Sequence, residues 1–161
     1  MGPGISDAIR SVHGLFKERG LTLSAAESCT GGLISHYVTA LPGASVFFTA
    51  GVVAYSEKIK TTLLGVSPEV IRNSGIVSAE TAVEMAEKVR SLAKTDYSVS
   101  TTGNLGPDVL EGKEKGLVYI AVSKDGKTVS REIRLKGSRE ENKAEAALEA
   151  LRLLLEVAER G

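Results

Sequence analysis

LTLSAAESCTGGLISHYVTAL, residues 21–41, decides the fold class. Its first part, 21–27, is a short run that reads as a strand, and CTGGLISHYVTAL (29–41) reads as a helix entered through Thr30, Gly31 and Gly32 and stopped by Pro42-Gly43. A strand that passes directly into a helix is the unit of an α/β protein, and the chain on both sides continues the alternation. Upstream, residues 5–19 place Ile5, Ile9, Val12 and Phe16 on one helical face, with Gly20 as the stop. Downstream, FFTAGVVAY (47–55) is a β-rich run long enough for a central strand, and SEKIKTTLL (56–64) is helical. Ser67-Pro68 opens the short helix PEVIRN, and Ser78 caps a longer one carrying Val83, Ala86, Val89 and Ala93.

YSVSTTG (97–103) reads as a strand, followed by a polar, glycine-rich loop over 103–116. LVYIAVS (117–123) and KTVSREIRL (127–135) form a hairpin about Asp125-Gly126. Ser138 and Glu141 make a capping box for a last helix running to about Glu159, with Ala147, Leu151, Leu154, Leu155 and Ala158 facing the core. The expectation is one α/β domain over residues 1–161, with a mixed sheet covered on both faces.

A chain of 161 residues fits the ~100–200 residues of one domain. At that size ~70% of the unfolded surface is buried, so the core needs neither disulfide nor metal. Hydrophobic residues are 42% and charged residues 25%, which excludes disordered and collagen-like classes. Twenty Lys and Arg balance twenty Asp and Glu, so the basic excess of a non-specific nucleic-acid binder is missing. Aromatics are 4% and scattered, which argues against a base-stacking platform. No apolar run approaches the ~20 residues that cross a bilayer, and Met1-Gly2-Pro3-Gly4 has no secretory pattern. The expected protein is soluble and cytoplasmic, without nucleic-acid or membrane partners.

Some motifs fail on spacing. Gly126-Lys127-Thr128 resembles the end of a phosphate-binding loop, but Ala121 stands where that pattern needs glycine, and no metal-ligand spacing exists. Cys29 as nucleophile needs a nearby histidine, and His36 lies ~10.5 Å further along the same predicted helix. Cys29 therefore reads as a small buried thiol.

Four segments could carry chemistry. Ser28-Cys29-Thr30-Gly31-Gly32 could receive an anion on free N–H groups at the helix start, or could be a tight helix cap. Ser45 in the turn Pro42-Gly43-Ala44-Ser45, Tyr55 and Lys60 could form a nucleophile and its base, if strand and helix return Lys60 to the turn. A serine hydroxyl needs a base, and a lysine serves only when burial lowers its pKa from ~10.4 to ~7–8. A capping serine and a solvated lysine fit the same spacing. Thr102-Gly103 at a strand end and Arg139 at a helix start complete the set, each with an equally plain structural use.

In order and spacing, AESCTGG (26–32), the P-G-x-S turn (42–45), GVVAYSEKIK (51–60), Thr102-Gly103 and GSR (137–139) resemble the CinA C-terminal family, over about residues 5–158. The resemblance implies a three-layer α/β/α sandwich. It also implies hydrolysis of the carboxamide of nicotinamide mononucleotide to the acid and ammonia, without metal or organic cofactor. By motif match the catalytic set falls on Ser45, Lys60 and Tyr55. Ser28, Thr30, Gly31, Gly32, Thr102, Gly103 and Arg139 become substrate-binding, and a homo-oligomer is implied. A non-catalytic nucleotide-binding module of the same fold, or an amidase for another small amide, fits the same residues.

Overall fold

The computed structural model describes all 161 residues. Six helices and five strands follow in the order α1 (Pro3–Arg19), β1 (Leu23–Glu27), α2 (Leu33–Thr39), β2 (Phe48–Val53), α3 (Glu57–Thr62), α4 (Pro68–Ser74), α5 (Ala79–Ala93), β3 (Tyr97–Gly103), β4 (Leu117–Lys124), β5 (Lys127–Arg134) and α6 (Arg139–Arg160). One sheet has the order β2-β1-β3-β4-β5, with β1 parallel to β2 and β3, and β4 and β5 antiparallel. It is a three-layer α/β/α sandwich with a mixed sheet.

Sequence periodicity accounts for the layers. Ile5, Ile9, Val12 and Phe16 of α1 are buried against α6 and α2 on one face, where Leu151, Leu154 and Ala158 join them. On the other face α5 covers β1, β3 and β4. Its buried stripe is Thr81, Ala82, Met85, Ala86 and Val89, so Val83 and Ala93 sit at the margin of the face on which they were expected. The last helix has both halves of its capping box, with Ser138 accepting from Glu141 N and Glu141 accepting from Ser138 N. No helix is long and apolar enough to cross a membrane.

The run 47–55 forms an edge strand, not a central one. Its side chains alternate between half-buried and exposed along Phe48–Val53, the pattern of an edge. The strands buried throughout are β1 and most of β3.

Because β1, β2 and β3 are parallel, their carboxyl ends open on one rim of the sheet. The chain leaves β1 toward the α2 face and leaves β2 toward the α5 face. Ligands of open α/β sheets bind in such a crevice.

Candidate active site

The parallel ladder runs one residue past β1. Ser28 N donates to Thr101 O (3.1 Å) and Ala54 N donates to Glu27 O (2.8 Å), which sets Ser28 beside the exits of β2 and β3. The turn 28–32 is shaped by Glu27, a wholly buried carboxylate. Its Oε1 accepts from Thr30 Oγ1 (2.7 Å) and Ile34 N (2.8 Å), and its Oε2 accepts from Ser35 N (3.0 Å) and Ser35 Oγ (2.7 Å). The anion at the start of α2 is thus the protein's own side chain. Gly31 and Gly32, at φ of +58° and +100°, let the chain turn tightly enough to bring those amides onto it.

Lys60 points back into the crevice from α3, which Ser56 caps by accepting from Ile59 N. The side chain is 1% exposed. Its Nζ lies 2.8 Å from Ser28 Oγ, 2.9 Å from Ala54 O and 3.3 Å from Tyr55 O. Carbonyl oxygens only accept. A neutral amine that gives its two hydrogens to Ala54 and Tyr55 therefore turns its lone pair toward the Ser28 hydroxyl, whereas an ammonium ion would give all three away. Burial is the main force on this group and lowers its pKa from 10.5 to about 8. The N–H of Cys29, next to Ser28 at the cavity wall, donates to no other residue's backbone.

Ser28 and Lys60 open onto a cavity of about 400 Å³. Ile76, Val77, Leu105 and Leu110 give it an apolar wall, and Thr102, Gly103, Asp108 and Arg139 contribute polar groups. Arg139 donates to Gly106 O (2.7 Å) and to the Tyr55 hydroxyl (3.0 Å), so the rim is tied across the opening. Thr102 Oγ1 donates to Ile76 O (2.9 Å). Gly103 is dictated by packing: a Cβ there would lie 2.7 Å from Leu117 O and 2.8 Å from Val118 Cα.

A family model described as the CinA C-terminal domain matches residues 6–158 of this chain. The chain belongs to the CinA C-terminal domain family. The competence-damage inducible protein of Bacillus velezensis is 44% identical over 141 residues, covering 88% of this chain and 34% of that protein. Its counterpart in Caldanaerobacter subterraneus is 45% identical over 137 residues, covering 84% and 33%. The chain thus spans about a third of the length of these CinA relatives. Among solved structures, a competence or damage-inducible protein from Enterobacter asburiae superposes with a TM-score of 0.93 at 30% identity, covering 96% of this chain and 98% of that one. A CinA superfamily protein from Klebsiella pneumoniae 700603 gives 0.94 at 28% identity, covering 98% and 99%.

Of the residues singled out from the sequence of this CinA domain, the crevice gathers Ser28, Lys60, Tyr55, Thr102, Gly103 and Arg139. Ser45 is not among them. It is exposed on a single 3-10 turn, Ala44–Val46, before the start of β2, while Lys60 follows the other end of that strand. The expectation that α3 returns Lys60 to the turn fails on length: six helical residues retrace ~9 Å of a strand that covers roughly 17–20 Å. Ser28 is the serine that Lys60 meets.

Two other expectations are corrected, while Cys29 is the small buried thiol expected. Tyr55 presents its carbonyl to Lys60, and its hydroxyl pairs with Arg139 at the rim. Thr30 is buried with its hydroxyl spent on Glu27 and Thr101, and neither it nor Gly31 and Gly32 lines the cavity. Cys29 does line it, as a thiol whose pKa burial pushes up to about 12, so it stays protonated.

Sequence reading missed the apolar wall. Ile76 and Val77 come from the link between α4 and α5, where no chemistry-bearing residue flags them. Asn104 had a signal, being an amide in a glycine-rich turn: buried, it bonds Leu110 N, Leu110 O and Lys113 O and so folds the 104–113 loop over the cavity.

Proposed function

We propose that this CinA domain is an amidohydrolase for a small carboxamide, with nicotinamide mononucleotide as the substrate and nicotinate mononucleotide and ammonia as products. The observation that carries the reading is the 2.8 Å contact between Lys60 Nζ and Ser28 Oγ at the floor of a cavity of about 400 Å³. A lysine whose neutral form turns its lone pair toward a serine hydroxyl is the activated-nucleophile arrangement for acyl transfer.

The steps follow from that geometry. Neutral Lys60 takes the Ser28 proton as Oγ bonds to the carboxamide carbon. The carbonyl oxygen becomes an oxyanion, for which the N–H group of Cys29, the residue after the nucleophile, is the donor. The C–N bond then breaks as Lys60 returns the proton to nitrogen, and ammonia leaves. A water molecule, deprotonated by Lys60, attacks the resulting Ser28 ester, and Lys60 gives that proton to Ser28 Oγ as the C–O bond breaks and the acid leaves. Arg139 keeps N–H donors beyond the two bonds it makes at the rim, which suits a substrate phosphate there.

Incubation with nicotinamide mononucleotide and a coupled ammonia assay tests the reading. Ser28→Ala and Lys60→Ala are each expected to lower kcat by about 10³-fold or more, and Ser45→Ala to leave it unchanged. A fully active Ser28→Ala variant would overturn the assignment.

A further inference from the structure

The substrate amide carries two N–H groups that leave with nitrogen, and each needs an acceptor while it is bound. The Thr102 hydroxyl has one proton, and that proton is committed: its partner at 2.9 Å is Ile76 O, which can only accept. Thr102 therefore faces the cavity as an acceptor alone, with no protein donor on its free lone pairs.

The carbonyl that fixes this polarity is itself fixed. Five other polar backbone groups of the 74–77 link are held by side chains. Glu111 accepts from Ile76 N and Val77 N, both at 2.9 Å, and Lys113 donates to Ser74 O at 3.0 Å and also to Val77 O. Ser78 and Thr81 donate to Gly75 O at 2.8 and 2.7 Å. Gly75, at φ +89°, leaves the room: a Cβ there would lie 2.6 Å from Glu111 Oε2 and 2.8 Å from Lys113 Nζ. Nor is Thr102 far from the nucleophile, since Thr101, its chain neighbour, accepts Ser28 N.

Resting on the amidase reading, we infer that Thr102 is the acceptor for an N–H of the scissile amide and makes the site selective for carboxamides over esters of the same acid. Accepting one N–H fixes rotation about the C–N bond, so the nitrogen lone pair that develops on attack turns toward the ammonium of Lys60, which must protonate it. An ester oxygen has no hydrogen to give and meets the Thr102 lone pair with its own, a repulsive contact.

The test compares nicotinamide mononucleotide with the methyl ester of nicotinate mononucleotide on the intact chain. Thr102→Val keeps the shape and removes the hydroxyl; the ratio of kcat/KM for amide over ester is expected to fall about tenfold. Thr102→Ser keeps the hydroxyl and is expected to hold the wild-type ratio, and it serves if the valine variant misfolds. A ratio that moves less than about twofold in the valine variant, or that collapses in the serine variant, overturns the inference while leaving the amidase reading intact. Absence of turnover of both compounds by the wild type overturns the amidase reading and this inference together.

Discussion

Lys60 makes the pH dependence of this CinA domain a quantitative matter. The perturbation is pH itself. Burial at 1% exposure brings the ammonium from 10.5 to about 8, a bias toward the neutral amine of about 3 kcal/mol at 1.36 kcal/mol per pH unit. On that basis the neutral fraction is about 1% at pH 6, about 9% at pH 7 and about 90% at pH 9, against about 0.03% at pH 7 for an ordinary lysine. The expected profile of kcat/KM for ammonia release rises close to tenfold per unit below pH 8 and levels off above about pH 9. A substrate phosphate takes its second charge with a midpoint near pH ~6 and is about 90% ionised by pH ~7, so the rise from 7 to 9.5 reports the lysine. Lys60→Arg, whose guanidinium is never neutral, is expected to be inactive at every pH in this range. A flat profile between 7 and 8, or an active arginine variant, excludes Lys60 as the base.

The same shift has a stability counterpart with a definite sign. Between about pH 8 and 10.5 the unfolded chain holds a proton on Lys60 that the folded chain has lost. Stability therefore rises with pH through that window: the cost of the buried ammonium is present in full below it and relieved above it. The difference in unfolding free energy between the wild type and Lys60→Met, followed by denaturant titration at pH 7.5 and pH 10.5, is expected to move in the wild type's favour by about 2–3 kcal/mol over that interval. No movement would place the amine in a wetter setting than its contacts imply.

Three further outcomes follow from the geometry around the crevice. Glu27→Gln sets an amide NH₂ against N–H donors at the start of α2 and is expected to cost about 2–3 kcal/mol, read as a Tm lowered by roughly 4–12 °C. Gly103→Ala drives a Cβ to within 2.8 Å of the β4 backbone, so a loss of at least about 2 kcal/mol in denaturant titration is expected. Arg139→Ala is expected to raise KM for nicotinamide mononucleotide about tenfold and to leave KM for the unphosphorylated riboside unchanged; equal effects on both would place the phosphate elsewhere.

Most of the layer architecture was legible because apolar spacing and end signals act locally. Ile5, Ile9, Val12 and Phe16 mark a helix face wherever that helix goes, and Ser138 with Glu141 marks a helix start whatever packs upon it. The position of β2 in the sheet was not legible: a six-residue apolar run fits edge and centre alike until its neighbours are known. The apolar wall was hidden for a similar reason, since Ile76 and Val77 owe their place to Glu111 and Lys113, more than thirty residues away.

The choice between Ser45 and Ser28 turns on strand direction rather than on distance along the chain. Ser45 lies fifteen residues before Lys60 and Ser28 lies thirty-two before it, so proximity in sequence favours the wrong partner. Parallel pairing reverses the ranking. Two parallel strands bring like ends together, so the residue that follows β1 meets the residues that follow β2, while a residue that precedes β2 is a full strand length away. Glu27 pairs with Val53 in register, and Ser28 and Ala54 are the next residues on each chain. Once 21–27 and 47–55 are both read as strands joined by a helix, their parallel pairing is the natural consequence. The site then belongs to the turn after the first strand: only there do a serine hydroxyl, the Cys29 N–H and a lysine from the next strand's exit converge on one cavity.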